Sequence, residues 1–376
     1  MTGHRGLDEH RAAGSARWQS AEVTSPRLDR RIPVVAAKDI PYIFNANRLQ
    51  NLSVYLPWTP RTAALVGTPV TSLRGTDSTA RHPQYLVHIH GGAWRDPRLT
   101  SASIEPTVAH AFADGGLSDE EATGLTAIAS LNYTVSQMDY PAPSVMADPP
   151  VPYDAVESNH TDPAREAVHP QHLSDVLHGL ALLGSLGLTD DSYVLSGHSC
   201  GACLASQSVL QPPRHHGLGH LPDPPRPAAL LGLNGLYDLP ALVTAAGLGA
   251  SHAHLRDDYE AFLSRAFGAD KGTWPDASPA GFDPMAIAER IREGRSPRLV
   301  VLEQSAEDQL VPMTQRERMT ATLRGAAGLR IAHGHRLTGS HAAPWEEGLM
   351  IHQSVVDTLR MLRKAPHATG GLANRA

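Results

Sequence analysis

Ser199 stands at the centre of Gly197-His198-Ser199-Cys200-Gly201, directly after the apolar run Tyr193-Val194-Leu195-Ser196 and directly before the small-residue segment Ala202-Cys203-Leu204-Ala205-Ser206. The order reads strand, tight turn, helix, with a hydroxyl at the apex. Glycine on both sides suits such a turn, because a side chain there would collide with the backbone that lifts the serine clear of the sheet. A serine hydroxyl is a weak nucleophile at neutral pH. It needs a base within hydrogen-bond reach, an acid to orient that base, and donors for the oxyanion that forms. A string of this kind also arises by chance, so its weight rests on its strand-turn-helix setting and on those partners.

The partners are sought in the chain order serine, acid, histidine. Leu299-Val300-Val301-Leu302 is an apolar run of strand type, and Glu307-Asp308-Gln309-Leu310-Val311-Pro312 follows it as a loop. Asp308 is the expected acid, with Glu307 the alternative; a helix-capping carboxylate is the competing structural role. The base belongs in the loop after the last strand. His341 follows Gly339-Ser340 and precedes the final helix, whereas His333 and His335 fall within or just past the strand and would point sideways. Before the serine, His90-Gly91-Gly92-Ala93-Trp94 follows the strand-like run 85–89. Its two glycines let backbone N–H groups turn toward the serine, so the amide of Gly92 or Ala93, with that of Cys200, is the expected oxyanion hole.

Three features invite other chemistry. His88 and His90 form an H-x-H pair, but no third ligand sits at metal-site spacing, and the reading is that they fix the loop; neither a metal nor a cofactor is expected. Cys200 and Cys203 are the only cysteines. Without a second pair they read as small packing residues in a buried helix rather than a redox or metal motif. A disulfide framework is excluded, which suits a reducing, cytoplasmic setting. His215, His216 and His220 lie in a Pro-rich tract and read as loop residues.

The elements that must position these groups follow from length and pattern. The chain has 376 residues, 41% of them apolar, enough for one enzyme-sized α/β domain. Thirty-two basic and 38 acidic residues give a net charge of -6 without a basic stripe, so nucleic acid and anionic membrane are not expected partners and a small molecule is. No run approaches 18 apolar residues. Asn51-Leu52-Ser53-Val54-Tyr55-Leu56-Pro57 alternates like an edge strand, with residues 40–44 as its hairpin partner across Asn45-Ala46-Asn47. Runs at 85–89, 125–131, 193–196, 229–233, 298–303 and 329–332 read as strands, most of them buried on both faces. Helical patterns lie between most of them, at 170–186 and 284–292, and an amphipathic pattern at 346–363 closes the series. This alternation predicts a mainly parallel central sheet with helices on both faces. Residues 1–38 read as a disordered leader with a weak transit peptide as the alternative, 39–365 as the single domain and 366–376 as a flexible tail. Stretches 114–124, 141–163 and 211–227 read as inserted surface loops or lids, and 240–284 as a helical cap.

Taken together these residues resemble the α/β-hydrolase fold, and within it the eukaryotic, particularly fungal, kynurenine formamidases (arylformamidases). The likeness spans residues 42–363. It is carried by His90-Gly91-Gly92-Ala93-Trp94-Arg95-Asp96-Pro97, Ser130-Leu131-Asn132-Tyr133, His169-Pro170-Gln171-His172-Leu173-Ser174-Asp175-Val176, the serine turn, Gly235-Leu236-Tyr237-Asp238-Leu239, and Ala266-Phe267-Gly268 with Trp274 and Ser278-Pro279. Glu307-Asp308 and Gly339-Ser340-His341 with Trp345 complete the set. Carried over by position, the family's catalytic residues are Ser199, Asp308 and His341. The resemblance implies hydrolysis of N-formyl-L-kynurenine to L-kynurenine and formate in tryptophan degradation, without a cofactor. Trp94, Tyr133 and Trp345 are then candidate walls for the substrate's aromatic ring, Asp175 a helix brace, and a homodimer is left open. A broad-range carboxylesterase and a non-catalytic binding protein of the same fold are the alternatives. The long insertions depart from the family pattern where lids are built.

Overall fold

The computed structural model describes residues 16–73, 85–113, 124–138 and 162–364. Nine strands form one sheet: β1 (Gln19–Val23), β2 (Ile32–Pro41), β3 (Asn51–Pro57), β4 (Tyr85–Ile89), β5 (Ala127–Leu131), β6 (Tyr193–His198), β7 (Ala229–Leu233), β8 (Leu299–Glu303) and β9 (Arg330–His333). Their order is β1-β2-β3-β5-β4-β6-β7-β8-β9. β1, β2, β3 and β5 pair antiparallel in turn, and from β5 onward every neighbour is parallel. Strands buried on both faces must be apolar at successive positions, and β4, β5, β6, β7 and β8 are buried throughout.

Alternation along each strand divides the core. On β4, Tyr85, Val87 and Ile89 face one apolar cluster while Leu86 faces the other; on β8, Val300 and Leu302 oppose Leu299 and Val301. The first cluster takes helices α2 (Gln171–Ser185) and α3 (Cys200–Leu210), with α6 (Pro284–Arg292) and α7 (Thr314–Arg324) further along the sheet. The second takes α1 (Glu105–Phe112) and α8 (Leu349–Lys364). α8 does so through Ile351, Val355 and Leu359, four residues apart on one face. Between β7 and β8 the chain runs through α4 (Ala245–His252), α5 (Arg256–Phe267) and short turns up to Gly281. Among the described residues no helix is long and apolar enough to cross a membrane.

Three expectations change. The leader expected through residue 38 is folded from residue 16, because β1 and β2 place Ile32, Val34 and Val35 in the core, each at most 1% exposed. Exposed Gln19, Ser20 and Glu22 in β1 and exposed Asp29, Arg30 and Arg31 just before Ile32 mask that pattern in the sequence. The hairpin partner of β3 is therefore β2, ending at Pro41, rather than residues 40–44. Residues 211–227 are no lid. They connect α3 to β7 at the end of the sheet where the parallel strands begin, and His216 and Leu218 are buried there. Of the other two insertions, 114–123 and 141–161 lie outside the described residues, as does the tail.

Burying a Val or Ile side chain contributes roughly 1.5–3 kcal/mol, so removing the three of β2 costs an amount comparable to a domain's whole stability of about 5–15 kcal/mol. A chain lacking residues 1–38 should therefore lose the cooperative thermal transition of the full chain. An unchanged melting temperature would contradict the placement of β1 and β2.

Candidate active site

The serine turn is set by lack of space. A Cβ on Gly197 would lie 2.2 Å from Gly201 O, and one on Gly201 would lie 2.2 Å from Ile89 O and 2.5 Å from His90 O. Only glycine lets β6, α3 and the end of β4 approach this closely. The turn leaves Ser199 at φ 56°, ψ -124°, a conformation costly for a residue with a side chain. Hydrogen bonds hold it there: Ser199 N–H donates to Leu233 O at 2.9 Å, and Ser199 O accepts from Ala202 N–H at 3.0 Å and Leu236 N–H at 3.2 Å.

Asp308 and His341 come together beside this turn. His341 Nδ1 lies 2.8 Å from Asp308 Oδ2. With Nδ1–H donating a hydrogen bond to the carboxylate, Nε2 is left as acceptor. Asp308 is fixed in turn: Oδ1 accepts from Leu310 N–H and Val311 N–H, both at 2.9 Å, and Oδ2 from Gln304 Nε2 at 3.1 Å. Its two sequence neighbours hold the histidine's loop. Glu307 Oε2 accepts from Gly339 N–H at 2.7 Å and Gln309 Oε1 from His341 N–H at 2.9 Å. Glu307 thus braces backbone rather than the imidazole. The Gly339 amide is also the main cause holding its carboxyl below the usual range. His333 faces Thr320, with Nε2 3.2 Å from its hydroxyl, away from this group.

His198, unremarked in the sequence, donates from Nε2 to His341 O at 3.0 Å and packs its ring 4.6 Å from the His341 ring. Burial, and next the neighbouring His341, hold it well below the usual histidine range, so it stays neutral beside the base.

Before the serine, Gly92, Ala93 and Trp94 carry φ values of 105°, 51° and 57°, a run of left-handed backbone that turns the loop under α3. Gly92 O accepts from Arg95 N–H and Asp96 N–H at 2.9 Å, Trp94 O from Ser136 N–H at 2.7 Å, and Cys200 Sγ from Trp94 N–H at 3.3 Å. The Ala93 backbone also hydrogen-bonds the Cys200 thiol, whereas among the described residues no hydrogen bond engages the Gly92 N–H. His90 donates to Gly91 O at 2.8 Å and stacks on Tyr133 at 4.6 Å; His88 Nδ1 lies 2.9 Å from Ser196 Oγ. Burial lowers these rings to about 4 and about 3, so both are neutral packing groups. Burial pushes the Cys200 thiol up to about 11, which keeps it protonated beside the serine. Asp175 accepts from Thr134 N–H at 2.8 Å, Gln50 at 3.0 Å and Gln171 at 2.7 Å, a brace between α2 and the loop after β5.

The expected pocket walls are not where the sequence put them. Trp94 and Tyr133 are fully buried. Trp94 packs on Phe267, with ring centres 4.9 Å apart, and the Tyr133 hydroxyl sits 3.1 Å from Gly91 O and 3.3 Å from Cys200 Sγ, supporting the loop from beneath. Trp345 packs half-buried in the cluster on the sheet's other face. Large aromatic side chains beside a motif fill the core under it, and the sequence could not show which side they take.

A narrow cavity lies over Ser199 instead. Ser199, His341 and Ala93 line it, with Leu236, Leu310 and Val311 from the neighbouring loops. Its remaining wall comes from residues 255–262, where Leu255, Asp258, Tyr259 and Phe262 recur at helical spacing on one face. That wall is anchored to the acid's loop: Tyr259 Oη donates to Leu310 O at 2.5 Å, and His252 Nε2 to Asp308 O at 2.9 Å. The spacing was visible in the sequence; what it faces was not.

A hydroxyl and an imidazole fixed by a buried carboxylate around one cavity are parts that acyl transfer uses. No model of a protein family matches the chain. It is 30% identical over 333 residues to a kynurenine formamidase-like hydrolase of Fusarium equiseti, covering 86% of this chain and 94% of that one. It is 28% identical over 286 residues to a kynurenine formamidase of Aspergillus versicolor, covering 74% and 87%. Among solved structures, esterase B from Lactobacillus rhamnosis superposes with a TM-score of 0.51 at 15% identity, over 89% of this chain and 90% of that one. A carbohydrate esterase from gut microbiota gives 0.50 at 14%, over 87% and 95%. These two show the fold alone.

Two substitutions probe the site's scaffold. Gly201→Ala should lower stability by about 1–3 kcal/mol, because the new methyl has backbone carbonyls for neighbours, and denaturant unfolding measures it. Tyr133→Phe removes a hydroxyl from buried partners and should cost about 1 kcal/mol by the same measurement.

Proposed function

The chain belongs to the kynurenine formamidases of the α/β-hydrolase superfamily, and from that premise we propose that it removes the formyl group of N-formyl-L-kynurenine through Ser199, His341 and Asp308. The observation that carries the reading is the 2.8 Å contact of His341 Nδ1 with Asp308 at the cavity lined by Ser199.

His341 Nε2 takes the Ser199 proton as Oγ attacks the formyl carbon, and the carbonyl π pair moves onto oxygen. That oxyanion is received by the amides of Gly92 or Ala93 and of Cys200, donors carried on the two turns that flank Ser199. His341 then returns the proton to the anilide nitrogen as the C–N bond breaks, releasing the aryl amine and leaving a formyl ester on Ser199. Water, deprotonated by His341, attacks that ester; formate leaves and the serine proton returns. Formyl is the smallest acyl group, which suits the small free volume over Ser199. An anilide nitrogen is also a better leaving group than an alkyl amine. No step calls on a cofactor.

Ser199→Ala should reduce kcat by roughly 10³ to 10⁶, because the members of such a triad act as a unit. A panel comparing N-formyl-L-kynurenine with long-acyl p-nitrophenyl esters measures the substrate assignment. Efficient ester cleavage without deformylation would make the protein a broad-range carboxylesterase, and loss of activity to a chelator would contradict the serine mechanism.

A further inference from the structure

Among the residues lining the cavity over Ser199, Asp258 is the one carboxylate, and no lysine or arginine joins it. It is half-buried in the first turn of α5, between Leu255 and Tyr259 on the face turned to the cavity. Other partly buried aspartates of this chain are ion-paired: Asp238 with Arg318 at 3.0 Å, Asp223 with Arg290 at 3.0 Å and Asp357 with Arg336 at 2.6 Å. Among the described residues, Asp258 has neither a hydrogen bond nor an ion pair. Its neighbour Asp257 shares the favourable first-turn position but is exposed and does not line the cavity, so stabilising the helix end does not require a carboxylate at 258.

A neutral molecule filling this cavity would strip water from Asp258 and give nothing back, whereas one bearing a cation would replace that water with a charge-assisted hydrogen bond. From this we propose that Asp258 is the specificity residue of the site, pairing with a primary ammonium on the leaving-group side of the scissile bond. The preferred substrates are then aryl formamides that carry an aliphatic ammonium, and the α-ammonium of N-formyl-L-kynurenine is such a group. The inference rests on the deformylase reading for its substrate and on the cavity alone for its charge. The ammonium is held by Asp258 while the aryl ring packs against Tyr259 and Phe262, whose rings lie 5.1 Å apart. A substrate carboxylate is excluded from the Asp258 side and points to solvent.

The test compares kcat/KM for N-formyl-L-kynurenine and for its desamino analogue, in the wild type and in Asp258→Asn, Asp258→Glu and Asp258→Lys. Wild type should favour the ammonium substrate. Asp258→Asn should shrink that preference by roughly tenfold or more, through KM rather than kcat. Asp258→Glu should restore part of it, and Asp258→Lys should reverse it toward the desamino substrate. A structural role would instead lower both substrates together, and that result, or an undiminished preference, overturns the inference. If the wild type deformylates neither compound, the functional reading fails. The charge inference is then decided by two phenyl acetates, one with an aminoethyl and one with a propyl substituent on the ring. A wild-type preference for the aminoethyl ester that Asp258→Asn abolishes supports it; equal turnover overturns it.

Discussion

The close approach of Gly201 to the carbonyls at the end of β4 is the constraint from which the site follows. Where a methyl group would lie 2.2 Å from Ile89 O, α3 can run directly beneath the loop that leaves β4, and its first turn comes to rest against that loop's amides. The same contact forces Ser199 out of ordinary backbone geometry, and the strain persists because hydrogen bonds from β7 and its following loop pin the residue on both sides. α3 is buried along its whole length, which explains why it is built of Ala, Cys, Ser and Gly with few larger side chains. Cys200 fits this pattern: its thiol accepts from Trp94 N–H and touches the Tyr133 hydroxyl, joining the serine turn and the loop after β4 into one packed unit.

The other half of the site is held by a different device. His341 lies in an irregular loop with no regular element of its own, and three consecutive side chains after β8 grip that loop. Glu307 takes the Gly339 amide, Asp308 the imidazole and Gln309 the His341 amide. Ser305 adds a bond to Gly339 O at 2.7 Å. The same stretch is tied to α4 and α5, whose His252 and Tyr259 donate to Asp308 O and Leu310 O, so the cavity wall, Asp308 and His341 share one hydrogen-bonded frame.

Much of this was legible from residue order. Strands buried on both faces announce themselves as short apolar runs, and β4 and β7 have the ends expected of them, while β8 starts one residue later. That Asp308 and His341 come together was legible because a fold that places strand ends side by side imposes chain order on the residues at those ends. Two parts misled. β1 and β2 sit on an edge, where the exposed polar residues of β1 and of the charged turn before Ile32 look like an unfolded leader. Trp94, Tyr133 and Trp345 stand next to motif residues in sequence, but adjacency does not say which way a side chain points, and all three turned into apolar clusters.

The sequence alone determined what depends on local chemistry and on periodicity: the glycines without which the serine turn cannot close, the two-faced strands, and the order in which serine, acid and histidine arrive. Tertiary structure decided what depends on contacts between segments far apart in the chain. It assigned Glu307 to a backbone amide and Asp308 to the imidazole, although the two are neighbours with similar side chains. It also raised residues 255–262 as a wall over Ser199 and left in it Asp258, unpaired among the described residues. The physical reason is that a helix's own spacing fixes which residues share a face, while only packing against the rest of the molecule fixes what that face meets.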